Sequence, residues 1–238
     1  MIRVGAIGDI HFGRDSAGTW RPALASIADD AEMLLIAGDQ TRRGRRDEAE
    51  VLAEELRGLP VPVVAVLGNH DYECDAADEV VDALTGAGVR VLRGEAVVIE
   101  VAGSRVGIAG TVGFGGGFVG ASGSDFGEPE MKSFIARTRR EAAVLEEALQ
   151  SLADVDVRVA LLHYSPVEDT LVGERLEIYP FLGSYLLAEA VDRGRADLVV
   201  HGHAHAGSEK GVTAGGVPVR NAAQPLLGCP YAVYRIGG

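Results

Sequence analysis

The chain carries six histidines, and every one sits in a segment whose residues could hold a metal ion. The segments are Gly8-Asp9-Ile10-His11, Gly68-Asn69-His70-Asp71, Leu162-His163-Tyr164 and His201-Gly202-His203-Ala204-His205. A fifth, Ala37-Gly38-Asp39, adds a carboxylate in the same local setting. Each follows an apolar run that reads as a buried strand. Imidazoles and carboxylates gathered at strand ends are the ligands a divalent-metal hydrolase needs. In extended backbone, residues i and i+2 face the same side, so Asp9 and His11 can reach one ion together; His203 and His205 repeat that spacing, and the same relation would keep His201 on the face of His203. Asp39, on a neighbouring parallel strand, could bridge two cations about 4 Å apart. Asn69 offers an amide oxygen and His163 another imidazole. The expected metal ligands are therefore Asp9, His11, Asp39, Asn69, His163, His203 and His205, enough for two divalent ions that share Asp39. Such imidazole-rich ligation favours Mn, Fe, Zn, Co or Ni over Mg or Ca, with Mn the first choice. Singly each segment is weak, since Gly-Asp dipeptides are common and a lone buried histidine is more often a core residue than a ligand. Their order and their repeated placement after apolar runs give the set its weight.

The elements that must position these residues can be read from periodicity. Strands are expected at Arg3–Gly8, Met33–Ala37, Val61–Leu67, Ala96–Val101, Arg105–Ala109, Arg158–Leu162, Asp197–Val200, Val217–Asn221 and Tyr231–Ile236. Most are nearly continuous apolar runs, as in strands covered on both faces. Helical patterns fill Pro22 to Asp30, Asp47 to Arg57, Asp75 to Ala87, Glu130 to Leu152 and Phe181 to Arg193. In the longest, Phe134, Ile135, Val144, Leu145, Leu149 and Leu152 form an apolar stripe. Alternation of strand and helix in the first third predicts a largely parallel sheet. Residues 96–108 read as a hairpin turning at Ala102-Gly103-Ser104. The mixture points to an α/β protein, two sheets flanked by helices, in one domain spanning residues 1–238. The glycine-rich stretch from Gly113 to about Gly127 reads as a long loop, either a surface excursion or a lid over substrate.

Composition narrows the function classes. The net charge of −13 argues against broad binding to long nucleic acids or anionic membranes, but not against a small phosphate compound in a pocket where cations supply positive charge. Cys74 and Cys229 make neither a disulfide framework nor a metal motif. No apolar run approaches the ~20 residues a membrane helix needs. With a candidate ligand already at Asp9, no secretory leader is expected. The expectation is a soluble, cytoplasmic protein.

The ordered series Gly8-Asp9-Ile10-His11, Gly38-Asp39, Gly68-Asn69-His70-Asp71, His163 and Gly202-His203-Ala204-His205 resembles the calcineurin-like metallophosphoesterase superfamily. The resemblance runs from residue 8 to residue 205. It implies a four-layer α/β/β/α sandwich of two mixed sheets, with a dinuclear metal site where the strands end. It implies Asp9, His11, Asp39 and His205 on one ion, and Asp39, Asn69, His163 and His203 on the other. A metal-bridging hydroxide would then attack phosphorus. His70 would contact the phosphate or protonate the leaving oxygen, with Asp71 orienting His70. General chemistry agrees, because paired cations acidify water and offset charge on phosphate oxygens, and histidine suits proton donation near neutral pH.

One departure stands out. Many relatives have a further Asp soon after the Gly-Asp pair, whereas Asp39 is followed by Gln40-Thr41-Arg42-Arg43-Gly44-Arg45-Arg46. Arg42 or Arg43 could clamp a substrate phosphate, or the run could simply be a solvated turn before the next helix. His201 exceeds the ligand count and is expected beside the site or buried in its strand. Tyr164, Ser165, Asn221 and Tyr179 could line the pocket. The leading expectation is a phosphoester hydrolase acting on a small phosphodiester. The alternatives are a phosphomonoesterase, a metal hydrolase of a non-phosphate bond, and a non-catalytic scaffold on the same fold.

Overall fold

Strands β1 (Ile2–Ile7), β2 (Met33–Ala37) and β3 (Val63–Val66) are almost entirely buried, and the computed structural model, which describes residues 1–237, shows why their sequences are apolar throughout. Their side chains alternate between two cores. Ile2, Val4, Ala6, Met33, Leu35, Ala37, Val64 and Val66 face a second sheet. Ile7, Leu34, Ile36, Val63 and Ala65 face helices on the other side. The helices α1 (Ile27–Asp30), α2 (Arg46–Leu56) and α3 (Ala77–Gly86) meet them with Ile27, Ala49, Leu52, Leu56, Val80 and Leu84. A strand with no polar face is what two covered faces require.

The short strand β4 (Arg90–Leu92) closes one edge of this sheet. The chain then crosses into β5 (Glu95–Val101) and β6 (Ser104–Gly110), a hairpin at the edge of the second sheet, and into a small separate hairpin, β7 (Gly117–Phe118) and β8 (Ala121–Ser122). Helix α4 (Pro129–Ser151) leads to β9 (Val157–Leu161). Helices α5 (Tyr179–Leu182) and α6 (Tyr185–Gly194) lead to β10 (Leu198–His201). Last come β11 (Lys210–Val212), β12 (Pro218–Asn221), α7 (Gln224–Leu227) and β13 (Ala232–Ile236). The first sheet has the order β13-β1-β2-β3-β4 and the second β11-β12-β10-β9-β6-β5. Both are parallel at the centre, with antiparallel strands β13, β5 and β11 at their edges. On the outer face of the second sheet, Leu145 and Leu149 of α4 and Leu187 and Val191 of α6 pack on Ala160 and Val199. The result is the four-layer α/β/β/α sandwich.

Four local expectations change. Residues 22–26 do not join a long first helix, because the buried Glu55 carboxylate captures the backbone N–H groups of Trp20 (3.0 Å) and Arg21 (2.5 Å) and holds that segment in turns. The helix expected from Phe181 to Arg193 is split at Gly183, whose extended backbone pairs with Ser165 and accepts from the Gly117 N–H at 3.0 Å. Ser184 then caps α6 by accepting from the Leu186 N–H. The short strands β4 and β11 carry too few apolar residues to show as runs. The glycine-rich stretch is not wholly loop, since residues 115–118 are buried and enter the β7–β8 hairpin, while 119–131 are exposed.

Candidate metal centre

The segments after β1, β2, β3, β9 and β10 meet at one edge of the sandwich. The residues after β1 and β2 continue to pair beyond the sheet, through Asp9 N–H to Gly38 O (3.0 Å), His11 N–H to Asp39 O (3.1 Å) and Phe12 N–H to Gln40 O (2.9 Å). This zipped pair of turns is not extended. Asp9, His11, Asp39 and His203 all adopt left-handed backbone, with φ of 58°, 43°, 51° and 71°. Such conformations cost of order 1–3 kcal/mol each for non-glycine residues and gather where function holds them. The i, i+2 argument for Asp9 with His11 therefore reached a correct neighbourhood by the wrong geometry. The same break in extended backbone separates His203 from His201.

The side chains converge tightly. Asp9, His11 and His205 have ligand atoms within 4.8 Å of one another, as do His11, Asp39 and His70, and Asp9, Asp39 and His163. Asp9 accepts from the His203 backbone N–H (2.9 Å) and lies 2.9 Å from His205 Nε2. Asp39 Oδ2 is 3.7 Å from His11 Nε2, and Asp39 Oδ1 is 3.5 Å from His163 Nε2. Asn69 Oδ1 stands 2.9 Å from His163 Nε2. His203 is outside these three clusters, but its ring centroid is 4.7 Å from that of His163. Glycines allow the approach. A Cβ on Gly68 would strike the Asp39 carboxylate, and one on Gly202 would strike that of Asp9.

The donor set fits cations. His163 is fully buried, and its Nδ1–H can donate to Ala37 O at 2.9 Å. Its Nε2 then presents a lone pair to two oxygens that are themselves acceptors, Asn69 Oδ1 and Asp39 Oδ1. Acceptors facing acceptors need a proton or a cation between them. Asp9 and Asp39, each 1% exposed, likewise need positive charge nearby. Burial would raise Asp9, but the hydrogen bond from His205 and the charges of His163 and His205 outweigh it and hold Asp9 below the usual carboxylate range. Burial would lower His163, yet the negative Asp39 and Asp9 raise it. Burial lowers His11 and pushes His203 down to about 3, so its imidazole is neutral and available as a ligand.

A family model of calcineurin-like phosphoesterases matches residues 2–207. The chain belongs to this family. Solved structures agree on the fold. A phosphopantetheinyl hydrolase from Mycobacterium tuberculosis superposes with a TM-score of 0.67 at 18% identity, covering 92% of this chain and 88% of that one. A putative 5′-nucleotidase from Staphylococcus aureus, in complex with alpha-ketoglutarate, gives 0.54 at 15% identity, covering 92% of this chain and 48% of its own. GAP50, described as the anchor in the inner membrane complex of Plasmodium, gives 0.55 at 12% identity, covering 94% and 72%. No curated protein matches the chain by sequence.

Around the candidate metal ligands, the calcineurin-like chain arranges its other polar residues in ways the sequence did not show. His70 is partly exposed, its ring centroid 4.6 Å from that of His11, and its Nδ1 is 2.9 Å from Arg42 O and 3.8 Å from Glu73. Asp71 does not take the expected place behind this ring. Its buried carboxylate accepts instead from Gly68 N–H (2.9 Å), Gln40 N–H (3.3 Å), Thr41 N–H (2.9 Å) and Thr41 Oγ1 (2.7 Å), bracing the turns that carry Asp39 and Asn69. Burial and the nearby charge of Asp39 push Asp71 up to about 6. Arg42 and Arg43 lie on the surface in ion pairs with Asp15 (3.1 Å) and Glu73 (3.3 Å). His201 is buried in β10 between Gly202 O (2.7 Å) and Thr170 Oγ1 (2.9 Å). Asn221 holds the histidine loop by donating to Ala204 O at 2.8 Å. Tyr164 places its ring 4.4 Å from that of His203, whereas Ser165 bonds inward to Thr170 and Tyr179 to Leu171 O. Sequence reasoning passed over Phe181, whose carbonyl lies 3.3 Å from His203 Nε2, and Glu174, which accepts from the Ala206 N–H. Both come from a segment with no ligand-like motif. Among the described residues, no helix is long and apolar enough to cross a membrane.

Proposed function

We propose that this chain is a phosphoester hydrolase that uses two divalent ions, manganese foremost, to cleave a small phosphodiester. The observation that carries the proposal is the convergence of Asp9, His11, Asp39, Asn69, His163 and His205 on one strand edge, with His203 beside them. Asp9, His11, Asp39 and His205 would hold one ion, and Asp39, Asn69, His163 and His203 the other. When bound, such a pair of cations acidifies water and offsets negative charge on a phosphoryl group. The protein supplies the rest. The Nδ1–H of His163, donated to Ala37 O, turns its Nε2 toward Asp39 and Asn69. The Asp39 carboxylate is fixed by the His70 backbone N–H at 2.8 Å, so ligand and proton donor are carried by one turn.

His70 is the proton donor in this reading. Its Nδ1 is occupied by Arg42 O, which leaves Nε2 as the nitrogen free to face the leaving oxygen. Asp71 acts through Asp39 and Asn69 as a positioning residue. Arg42 and Arg43 would have to leave Asp15 and Glu73 to grip a phosphate; if Arg42→Ala and Arg43→Ala leave KM unchanged, they are surface residues only.

The test measures initial rates on bis(p-nitrophenyl) phosphate and p-nitrophenyl phosphate with manganese-loaded protein, together with bound metal per chain. Wild type should cleave the diester faster. Asn69→Ala should lose at least a hundredfold in rate while keeping its circular dichroism spectrum. Wild type that binds two ions yet cleaves neither ester would overturn the hydrolase reading.

A further inference from the structure

A cavity of about 580 Å³ opens beside the candidate centre, lined by Phe114, Phe134, Arg137 and Arg140 together with Glu130 and Ser133. One aromatic ring separates its wall from the metal-site histidines. Tyr164 lies 4.4 Å from His203 on one side and 5.7 Å from Phe114 on the other. Phe114 meets Phe134 at 4.9 Å, and Phe134 meets Phe181 at 6.3 Å. Phe181, 60% exposed, returns to the centre through its carbonyl on His203. Arg137 lies over the Phe114 ring at 4.3 Å, and its carboxylate partner Glu141 is no nearer than 3.9 Å. Thr111 already donates to Glu141, so Arg137 is only loosely paired.

The lining combines flat π faces with guanidinium groups. A lipid chain would leave the two arginines unused, and a bare sugar phosphate would leave two phenylalanines against water. A nucleobase uses both, since every base has a π face to stack and ring nitrogens or exocyclic oxygens to accept from arginine.

We propose that this cavity is a nucleobase subsite, so that the phosphodiester cleaved at the centre belongs to a nucleotide. The proposal rests on the phosphoester-hydrolase reading above. Phe134 stacks on the base, with Phe181 edge-on beside it, and Arg137, held over Phe114, donates to its edge. The phosphate then extends past Tyr164 toward His163 and His203. An open pocket on an acidic chain takes one nucleotide unit rather than a long strand.

The experiment uses manganese-loaded wild type, Phe134→Ala and Arg137→Gln. Calorimetric titration with adenosine 5′-monophosphate and with inorganic phosphate gives binding. Rates on thymidine 5′-(p-nitrophenyl phosphate) and methyl p-nitrophenyl phosphate, which share a leaving group, give turnover. Wild type should bind the nucleotide at least tenfold tighter than phosphate. Each variant should lose about tenfold in nucleotide affinity, with phosphate affinity kept. Each should raise KM tenfold for the thymidine ester, with kcat and the methyl ester unaffected. Equal affinity for nucleotide and phosphate in wild type, or variants that alter both esters alike, would overturn the subsite. Nucleotide binding that depends on Phe134, in protein that cleaves neither ester, would instead overturn the hydrolase reading and leave the subsite standing.

Discussion

Asp71 shows how a single residue can keep its importance and change its task. Four donors end on its buried carboxylate, so Asp71→Ala strands them and should lower unfolding free energy by roughly 3 kcal/mol in denaturant titrations. Thr41→Val, which removes one donor, should cost about 1 kcal/mol. A variant with full stability and reduced kcat would return Asp71 to the role of orienting His70. His201 allows a separate prediction. Burial takes its imidazole down to about 4 from an ordinary 6.5, so the unfolded chain takes up a proton that the folded chain refuses. A depressed folded value contributes stability above pH 6.5 that is lost as pH falls toward 4. Between pH 7 and 5 the metal-free protein should lose about 2 kcal/mol through this one group. His201→Gln should flatten that decline; an unaltered pH dependence would mean that water reaches the ring.

At the scale of elements, the centre depends on turns more than on strands. The strands were legible because burial on both faces writes continuous apolar runs, and Met33–Ala37 coincides with β2 residue for residue. The candidate ligands were legible because histidine and aspartate at strand ends have few other uses. The left-handed backbone at Asp9, His11, Asp39 and His203 was not, since nothing in residue type distinguishes it from extended chain. Nor was the direction of the Asp71 carboxylate, which is set by donors from three separate positions, nor the break at Gly183, which is set by pairing with Ser165 and Gly117. The glycines next to ligands were visible as letters, but their reason was not. Gly68→Ala would drive a methyl group into the Asp39 carboxylate. That variant should retain its helices by circular dichroism and bind fewer than two manganese ions per chain by elemental analysis; full metal content would show that the turn can shift to admit a methyl.

For the molecule as a whole, the candidate centre joins two sheets whose facing sides are largely apolar. Cations bound there would stabilise only the assembled sandwich. At a hundred times Kd, one ion adds about 2.7 kcal/mol, so manganese should raise the melting temperature by roughly 5–10 °C. His205→Ala should reduce that shift, and a shift that survives undiminished would place the ions elsewhere. The hydrogen bond between Asp9 and His205 spans 196 residues of sequence, and β1 is paired on one side with β13. On the ribosome, Asp9 therefore leaves the tunnel long before its partner is synthesised. At ordinary elongation rates of about 5–20 residues per second, that wait is roughly 10–40 s. During it, the nascent chain exposes the open edge of β1 and an unpartnered carboxylate, and it cannot acquire the full ligand set until the last fifth of the polypeptide emerges. If the centre takes up metal, its loading would thus be a late event in biosynthesis, and a chain released early, before His203 and His205, would leave the ribosome without them.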